Sequence, residues 1–430
     1  MKHSDLRSAF QQRSIVGLNA INFFQAEMVG VVLPALGAFL KEAGWRYDSI
    51  GIATAVAGLG TLLLQIIAGE VTDRISSRRF LFGSVAIFTG FCFVAIPLVP
   101  NSQFWIDGLL FVSGAAQSLF APLLGALALA LVGHESLNRT AGVNQAWSHA
   151  GNIVAAVTAI LFVRFMGISS IFYAVGVSSL LAAASVFLIQ PNDLDEHLAT
   201  GLSATETDPI PWKELLRDRA VLGLIVSIFL FHLANAPILP VTALYVKHLG
   251  GSDSLMTATV LTAQLVMVPV SIFAGRYGDH WGRKAVMAIA FWFLPLRIFS
   301  YALVGSPKAV VWLQGLDAIG AGIYGVIVIT LAADLTRGKG RFNALTGVFA
   351  TALACGAVVG PTISGLLLQH FGFKDTFYAF AGVATIGALI FTFLVPETRE
   401  ASRSSSASPR ARDVARSDTA QQVFGKSAVH

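Results

Sequence analysis

The chain has 430 residues, of which 55% are hydrophobic and only 12% charged. Too few polar side chains remain to coat two or three water-soluble domains, the usual expectation for this length. A net charge of +5 does not mark a nucleic-acid binder, because Lys and Arg sit in short loops and a tail rather than on a basic helix or among interleaved aromatics.

The N-terminus, with Lys2, Arg7 and Arg13 ahead of an apolar stretch, faintly resembles a secretory signal. The apolar run is too long for that and carries Asn19, Asn22, Gln25 and Glu27, so it is read as a first membrane helix. Apolar runs of roughly 20 residues, enough to cross about 30 Å of hydrocarbon, then recur to Val395. They predict about twelve helices starting near Ser14, Ile50, Phe80, Phe104, Thr140, Ser169, Ala220, Leu255, Ala285, Ala309, Phe342 and Lys374. The two cysteines, Cys92 and Cys355, fall inside apolar runs and read as small hydrophobes. No metal-ligand spacing is present.

These runs divide the chain into an N-terminal six-helix bundle over 1–190, a cytoplasmic linker over 191–219, a C-terminal six-helix bundle over 220–395 and a disordered cytoplasmic tail over 396–430. With the N-terminus inside, roughly 22 of the 29 Lys and Arg residues fall in cytoplasmic segments, so both termini are expected there.

Polar residues within the spans are candidates for a solute or proton pathway, since an ionisable group near the bilayer centre costs about 2.5 to 3.5 kcal/mol and asks for a partner, a cavity or a function. In helix five, Asn144, Gln145, Ser148, His149 and Asn152 fall within an arc of roughly 140°, a stripe that lines a cavity or bonds neighbouring helices. In helix one, Asn22 and Gln25 sweep one side, whereas Glu27 points away and is read either as a proton carrier or as a partner for an adjacent helix. His232 and Asn235 share a face of helix seven just before Pro237 and Pro240, which can break that helix. Arg297 and Asp317 lie at similar depth on helices nine and ten. Either they pair, or Arg297 snorkels outward and Gln314, Asp317 and Tyr324 line the solute path. Gln117 and Gln264 complete the set, with interhelical bonding as the plainer reading.

A shift of about 206 residues aligns Leu33-Pro34 with Leu239-Pro240, Ala68-Gly69 with Ala274-Gly275 and Asp73 with Asp279. An even number of helices per repeat makes the halves parallel, related by an axis along the membrane normal, with a transport site between them. The second copy of the repeated loop, Gly275-Arg276-Tyr277-Gly278-Asp279-His280-Trp281-Gly282-Arg283-Lys284, resembles the G-x-x-x-D-R-x-G-R-K loop of the major facilitator superfamily. The first copy keeps Gly69, Asp73, Arg74, Arg78 and Arg79 but has Ser76 where that family usually has glycine.

The resemblance implies an all-α integral membrane protein of twelve transmembrane helices in two pseudo-symmetric bundles, working as a monomer in the bacterial inner membrane. In the gate loops, Asp73, Asp279 and the cations Arg74, Arg78, Arg79, Arg283 and Lys284, with Gly69, Gly275 and Gly282, are expected to form a charge network that opens and shuts as helices rock. Plain positive-inside anchoring is the alternative. Family drug/proton antiporters usually carry G-x-x-x-G-P in helix five; here Gly356, Gly360 and Pro361 put it in helix eleven, which weakens a drug-exporter reading.

The expected function is proton-coupled secondary transport of a small organic solute, export slightly favoured over import or facilitation. A sensor or intramembrane enzyme is the remote alternative. No His-Glu-x-x-His helix, Gly-x-Ser-x-Gly elbow or Walker loop is present, so no catalytic residue, metal or cofactor beyond the proton is expected, and no nucleic-acid partner.

Overall fold

The computed structural model describes residues 3–30, 32–45, 47–201, 209–251 and 253–398. Most of the expected tail, Lys2 and the centre of the linker lie outside these. Fourteen α-helices and no strand occur among the described residues. In chain order they are α1 (His3–Gly30), α2 (Val32–Glu42), α3 (Tyr47–Arg74), α4 (Arg78–Ala95), α5 (Gln103–Gln117), α6 (Phe120–Met166) and α7 (Ser170–Ser185). The short α8 (Trp212–Leu215) precedes α9 (Arg219–Asn235), α10 (Ile238–His248), α11 (Asp253–Trp281), α12 (Arg283–Leu303), α13 (Pro307–Leu335) and α14 (Phe342–Leu394). Apart from Ser14, which lies inside α1, the expected starts fall within seven residues of an observed helix start or chain reversal.

Eight helical stretches among the described residues are long and apolar enough to cross a membrane. Two of these hold two passes each, because α6 reverses at Gly133 (φ 66°) and α14 at Gly372 (φ 78°), a left-handed conformation that glycine adopts without penalty. The reversal in α6 is evident from Gln117, just before it, and Gln145, which line one cavity. A straight helix would hold them about 42 Å apart. Helix seven is interrupted between Asn235 and Ile238, where Pro237 and Pro240 follow in close succession.

Within the first half α1 packs on α6 and α7, α3 on α5, and α4 on α7; within the second α9 packs on α14, α11 on α13, and α12 on α14. Small residues permit these approaches, as is usual where lipid leaves helices no hydrophobic drive to associate. Gly151 lies against the Phe23 carbonyl, and Gly356 lies against the Phe229 carbonyl, 2.6 Å from where its Cβ would stand. Gly360 follows one turn later against Leu233. The glycine pattern of helix eleven is thus the seat of helix seven, as Gly151 is the seat of helix one.

The halves meet at the gate-loop end, where α6 crosses α11 and α14 crosses α3. Gly142 and Gly275 face each other so closely that a Cβ on Gly275 would stand 2.8 Å from the Gly142 Cα. A Cβ on Gly347 would come within 2.6 Å of the Gln65 carbonyl. The linker is tied down at the same end: the Asp195 N–H donates to Ala130 (3.0 Å), the Ile210 N–H to Lys339 (3.0 Å) and the Gly338 N–H to Gly201 (2.6 Å).

Gly282 separates α11 from α12 at φ 96°, and a Cβ there would collide with the Glu397 carboxylate. Gly44 has a similar φ of 87° but open space around it. The Gly282→Ala variant should therefore lose more apparent melting temperature than Gly44→Ala, which carries only the backbone penalty of about 1 kcal/mol. Thermal unfolding of the purified protein reads this, and equal losses would remove the role given to the Glu397 contact.

Candidate functional site

Between the halves lies a cavity of about 610 Å³. Helix five supplies Asn144, Gln145, Ser148 and Asn152, so four of the five residues of the expected stripe share it. From helix one come Asn22 and Gln25, from α3 Thr61 and Gln65, from α5 Gln117, and from the second half Tyr324 and Thr346. Gln65 serves two ends. It donates to the Ser118 carbonyl (3.4 Å), and it also faces the cavity.

Several lining groups are already held. Asn22 donates to Leu18 (2.8 Å), Ser148 to the Asn22 carbonyl (3.4 Å), and Gln145 across the halves to the Gly325 carbonyl (3.2 Å). The last of these fastens helix five to α13 at the cavity wall.

Other expected pathway residues lie elsewhere. His149, at the edge of the stripe, turns to α11, where Nδ1 meets Gln264 Oε1 at 3.0 Å. Glu27 points away from Asn22 and Gln25, as its angular position requires, into a narrow gap between helix five and α7 beside Ser178. His232 Nδ1 donates to the Ile228 carbonyl (3.1 Å), and its ring stands edge-on to Tyr324, 4.7 Å between centroids. It therefore backs a cavity residue without lining the cavity.

The second half holds a compact polar cluster in its core. Arg297 pairs with Asp317 and donates to Asn235; Gln314 donates to Asp317 (3.1 Å) and accepts from the Tyr301 hydroxyl (2.6 Å). Arg297 is 1% exposed, so pairing replaces snorkelling. Arg297, Gln314, Asp317 and Asn235 lie outside the cavity lining. A buried pair is dispensable as a pair but costly to halve. Arg297→Met should lower the apparent melting temperature sharply by stranding Asp317, whereas Arg297→Met with Asp317→Leu should recover most of it. A double variant as unstable as the single one would argue against this account.

At the gate-loop end the first loop reaches into the second half. Asp73 accepts from the Asn343 N–H (3.2 Å), the Asn343 side chain (2.8 Å) and the Ala344 N–H (2.8 Å). It caps the free N–H groups at the start of α14 and lies at the positive end of that helix's dipole. Gly69 admits the contact, since a Cβ there would strike the Asn343 carbonyl. The second loop has its counterpart in helix five: the Asn138 side chain donates to the Gly275 carbonyl (2.8 Å) and the Ala274 carbonyl (3.2 Å).

The loop cations divide. Arg78 pairs with Glu196 of the linker and donates to the Thr72 carbonyl (3.0 Å), while Arg283 pairs with Asp334 and lies 3.6 Å from Asp279. Arg79 donates to the Ile189 carbonyl (2.8 Å). Glu397 accepts from the Arg283 and Lys284 N–H groups (3.0 and 3.1 Å), capping α12. Arg74 has 80% of its side chain exposed and only a 3.5 Å pairing to Glu70, which suits simple anchoring. Glu70 in turn accepts from Arg341 (2.6 Å) and from the Trp212 indole.

Sequence reading missed Asn138, Gly142, Asn343 and Gly347, although the signal was present. Asn138-Arg-Thr-Ala-Gly142-Val143 and Asn343-Ala-Leu-Thr-Gly347-Val348 stand one repeat apart as N-x-x-x-G-V. Glu70, Glu196, Asp334 and Glu397 were also missed, because loop acids without a motif are indistinguishable from solvated charge.

Two parallel helical bundles around a cavity lined by carboxamides and apolar side chains, sealed at one end by paired loops, define a membrane transporter. The profile of the Major Facilitator Superfamily matches residues 15–294 and, again, residues 224–429, and the chain belongs to that family. An uncharacterised MFS-type transporter of Mycobacterium tuberculosis H37Rv is 31% identical over 388 residues, 89% of this chain and 93% of the relative. The multi-drug resistance efflux pump PmrA of Streptococcus pneumoniae TIGR4 is 23% identical over 83% of this chain and 90% of the pump. The fold is also that of the proton:xylose symporter XylE (TM-score 0.68, 14% identity, 93% of this chain and 98% of that one). A bacterial homologue of the iron transporter ferroportin, in an outward-facing state, gives a TM-score of 0.70 at 17% identity, covering 89% of this chain and 98% of that one. The protein is an integral membrane transporter and not an enzyme.

Proposed function

We propose that the protein is a secondary active exporter of a small organic solute, coupled to protons and working by alternating access as a single chain. The observation that carries this reading is the cavity between the halves together with its seal: every cross-half glycine contact among the described residues lies at the gate-loop end or the cavity wall. The conformation is accordingly taken as the one closed on the gate-loop side. Positive-inside counting assigns that side, with both termini, to the cytoplasm of a bacterial plasma membrane. Rocking the halves would break the Asp73 cap and the Asn138 bonds and open the cavity to that side.

Export is favoured by the likeness to pumps named for multi-drug efflux. Proton coupling is assigned to the second half, where Asp317 and its network lie near His232 and Tyr324, with Glu27 as a separate carboxyl on helix one. Cells with and without the protein should differ in their profile of internal and external small molecules, the transported solute accumulating outside when the protein is present. Collapsing the pH gradient with a protonophore should abolish the difference; persistence of the full difference would remove proton coupling.

The gate is testable apart from the solute. In a background with Cys92 and Cys355 replaced by serine, Ser148→Cys should react with an impermeant thiol reagent mainly from the side opposite the gate loops. Adding Asp73→Ala removes a cap worth about 1 kcal/mol, so labelling from the gate-loop side should rise about fivefold. Unchanged labelling would return the loops to plain anchoring.

A further inference from the structure

We infer that the cavity takes an uncharged amphiphile, one that bears hydroxyl or amide groups along one edge and a hydrocarbon or aromatic body along the other. This rests on the transport reading for the cavity's role and on the lining alone for the chemistry.

No Asp, Glu, Lys, Arg or His lines the cavity. An ionic solute would lose its water there and gain no counter-charge, an unfavourable exchange inside a membrane protein. The buried charge pair in the core of the second half is already internally compensated, Arg297 by Asp317.

The lining is instead rich in carboxamides, and these are confined to the first half. Gln25, Gln117, Asn144 and Asn152 have no hydrogen-bonding partner among the described residues. Asn144 is only 7% exposed, and its Oδ1 is fully buried without a partner. A carboxamide offers two donors and an acceptor, so a group of them on one wall matches hydroxyls and amides, which also donate and accept. A buried amide left unpaired is costly, which makes this wall selective for a solute that satisfies it.

The facing wall is different in kind. From α13 and α14 it presents Val328, Ile329, Phe349 and Leu353, with the Tyr324 phenol beside them. Its Thr346 hydroxyl is already spent on the Phe342 carbonyl (2.9 Å). The two walls are therefore unlike: every lining carboxamide stands on the first-half wall, among Val29, Phe120 and Leu124, while the second-half wall is apolar apart from Tyr324 and Thr346, and the volume of about 610 Å³ is that of a drug-sized site.

A matched chromophore series tests the charge and the two faces separately. The full-length protein in lipid nanodiscs is dialysed to equilibrium against p-nitrophenyl β-glucoside, against the anionic p-nitrophenyl β-glucuronide, and against the cationic p-nitrophenyl 2-amino-2-deoxy-β-glucoside, with empty nanodiscs as the blank. Glucose, which lacks the apolar body, enters as a competitor. The neutral glycoside should bind at least tenfold more tightly than either charged analogue, and glucose should compete at least tenfold less well than the unlabelled phenyl glucoside. Gln117→Glu should weaken the neutral probe and tighten the cationic one, inverting the order. Equal or tighter binding of a charged analogue, competition by glucose at parity, or no retention of any neutral glycoside would each overturn the inference. Binding of the neutral probe without protein-dependent flux into proteoliposomes would leave the inference standing and count against transport. Flux of other solutes without glycoside binding would do the reverse.

Discussion

A helix that begins inside a protein must find acceptors for its first N–H groups, and α14 finds them on the other half of the molecule. The carboxylate of Asp73, at the end of α3, takes the N–H groups of Asn343 and Ala344 and the side chain of Asn343. This bond set turns two bundles into one closed body at that end. Because the closure uses backbone donors that α14 owns in any conformation, it can be made and broken without rebuilding either half. Beside the cavity the halves are joined by side chains instead, Gln145 to the Gly325 carbonyl and His149 to Gln264, so the close backbone approaches of Gly69, Gly142 and Gly347 belong to the closed end.

Lipid then sorts the remaining polar groups. Those within a half find partners within that half, as Arg297, Asp317, Asn235, Gln314 and Tyr301 do together. Gln25, Gln117, Asn144 and Asn152 collect instead on the wall between the halves, where they are not exposed to hydrocarbon. The asymmetry of the cavity is thus an asymmetry in where each half spends its polar residues: the second in a sealed core, the first on an open face.

Much of this was legible in the sequence. Helix positions followed from apolar length, and the helix-five stripe from 100° steps, because both depend on local geometry alone. The divergence of Glu27 from Asn22 and Gln25 was legible for the same reason. What the sequence could not resolve was partner choice across helices: His149 lies at the rim of its stripe, and only the approach of α11 with Gln264 decides which way it faces. Pairing of Arg297 with Asp317 depended likewise on the azimuth of two helices, which depth does not fix. The gate loops were visible through Gly69, Asp73 and their copies, but their receptors, Asn138 and Asn343, were hidden because single asparagines carry no signal until the repeat is extended through them.

The two loops reach the same turn by different means. From Asp279 to Arg283 the chain is short and passes through the left-handed conformation at Gly282; from Asp73 to Arg78 it has one residue more and needs no left-handed residue. The longer path releases position 76 from the demand for glycine, and serine stands there. Internal duplication therefore left two loops with one job but different room for drift: the first can exchange residues at its bend freely, while the second is pinned to a side chain of a single hydrogen by the carboxylate of Glu397 packed against it.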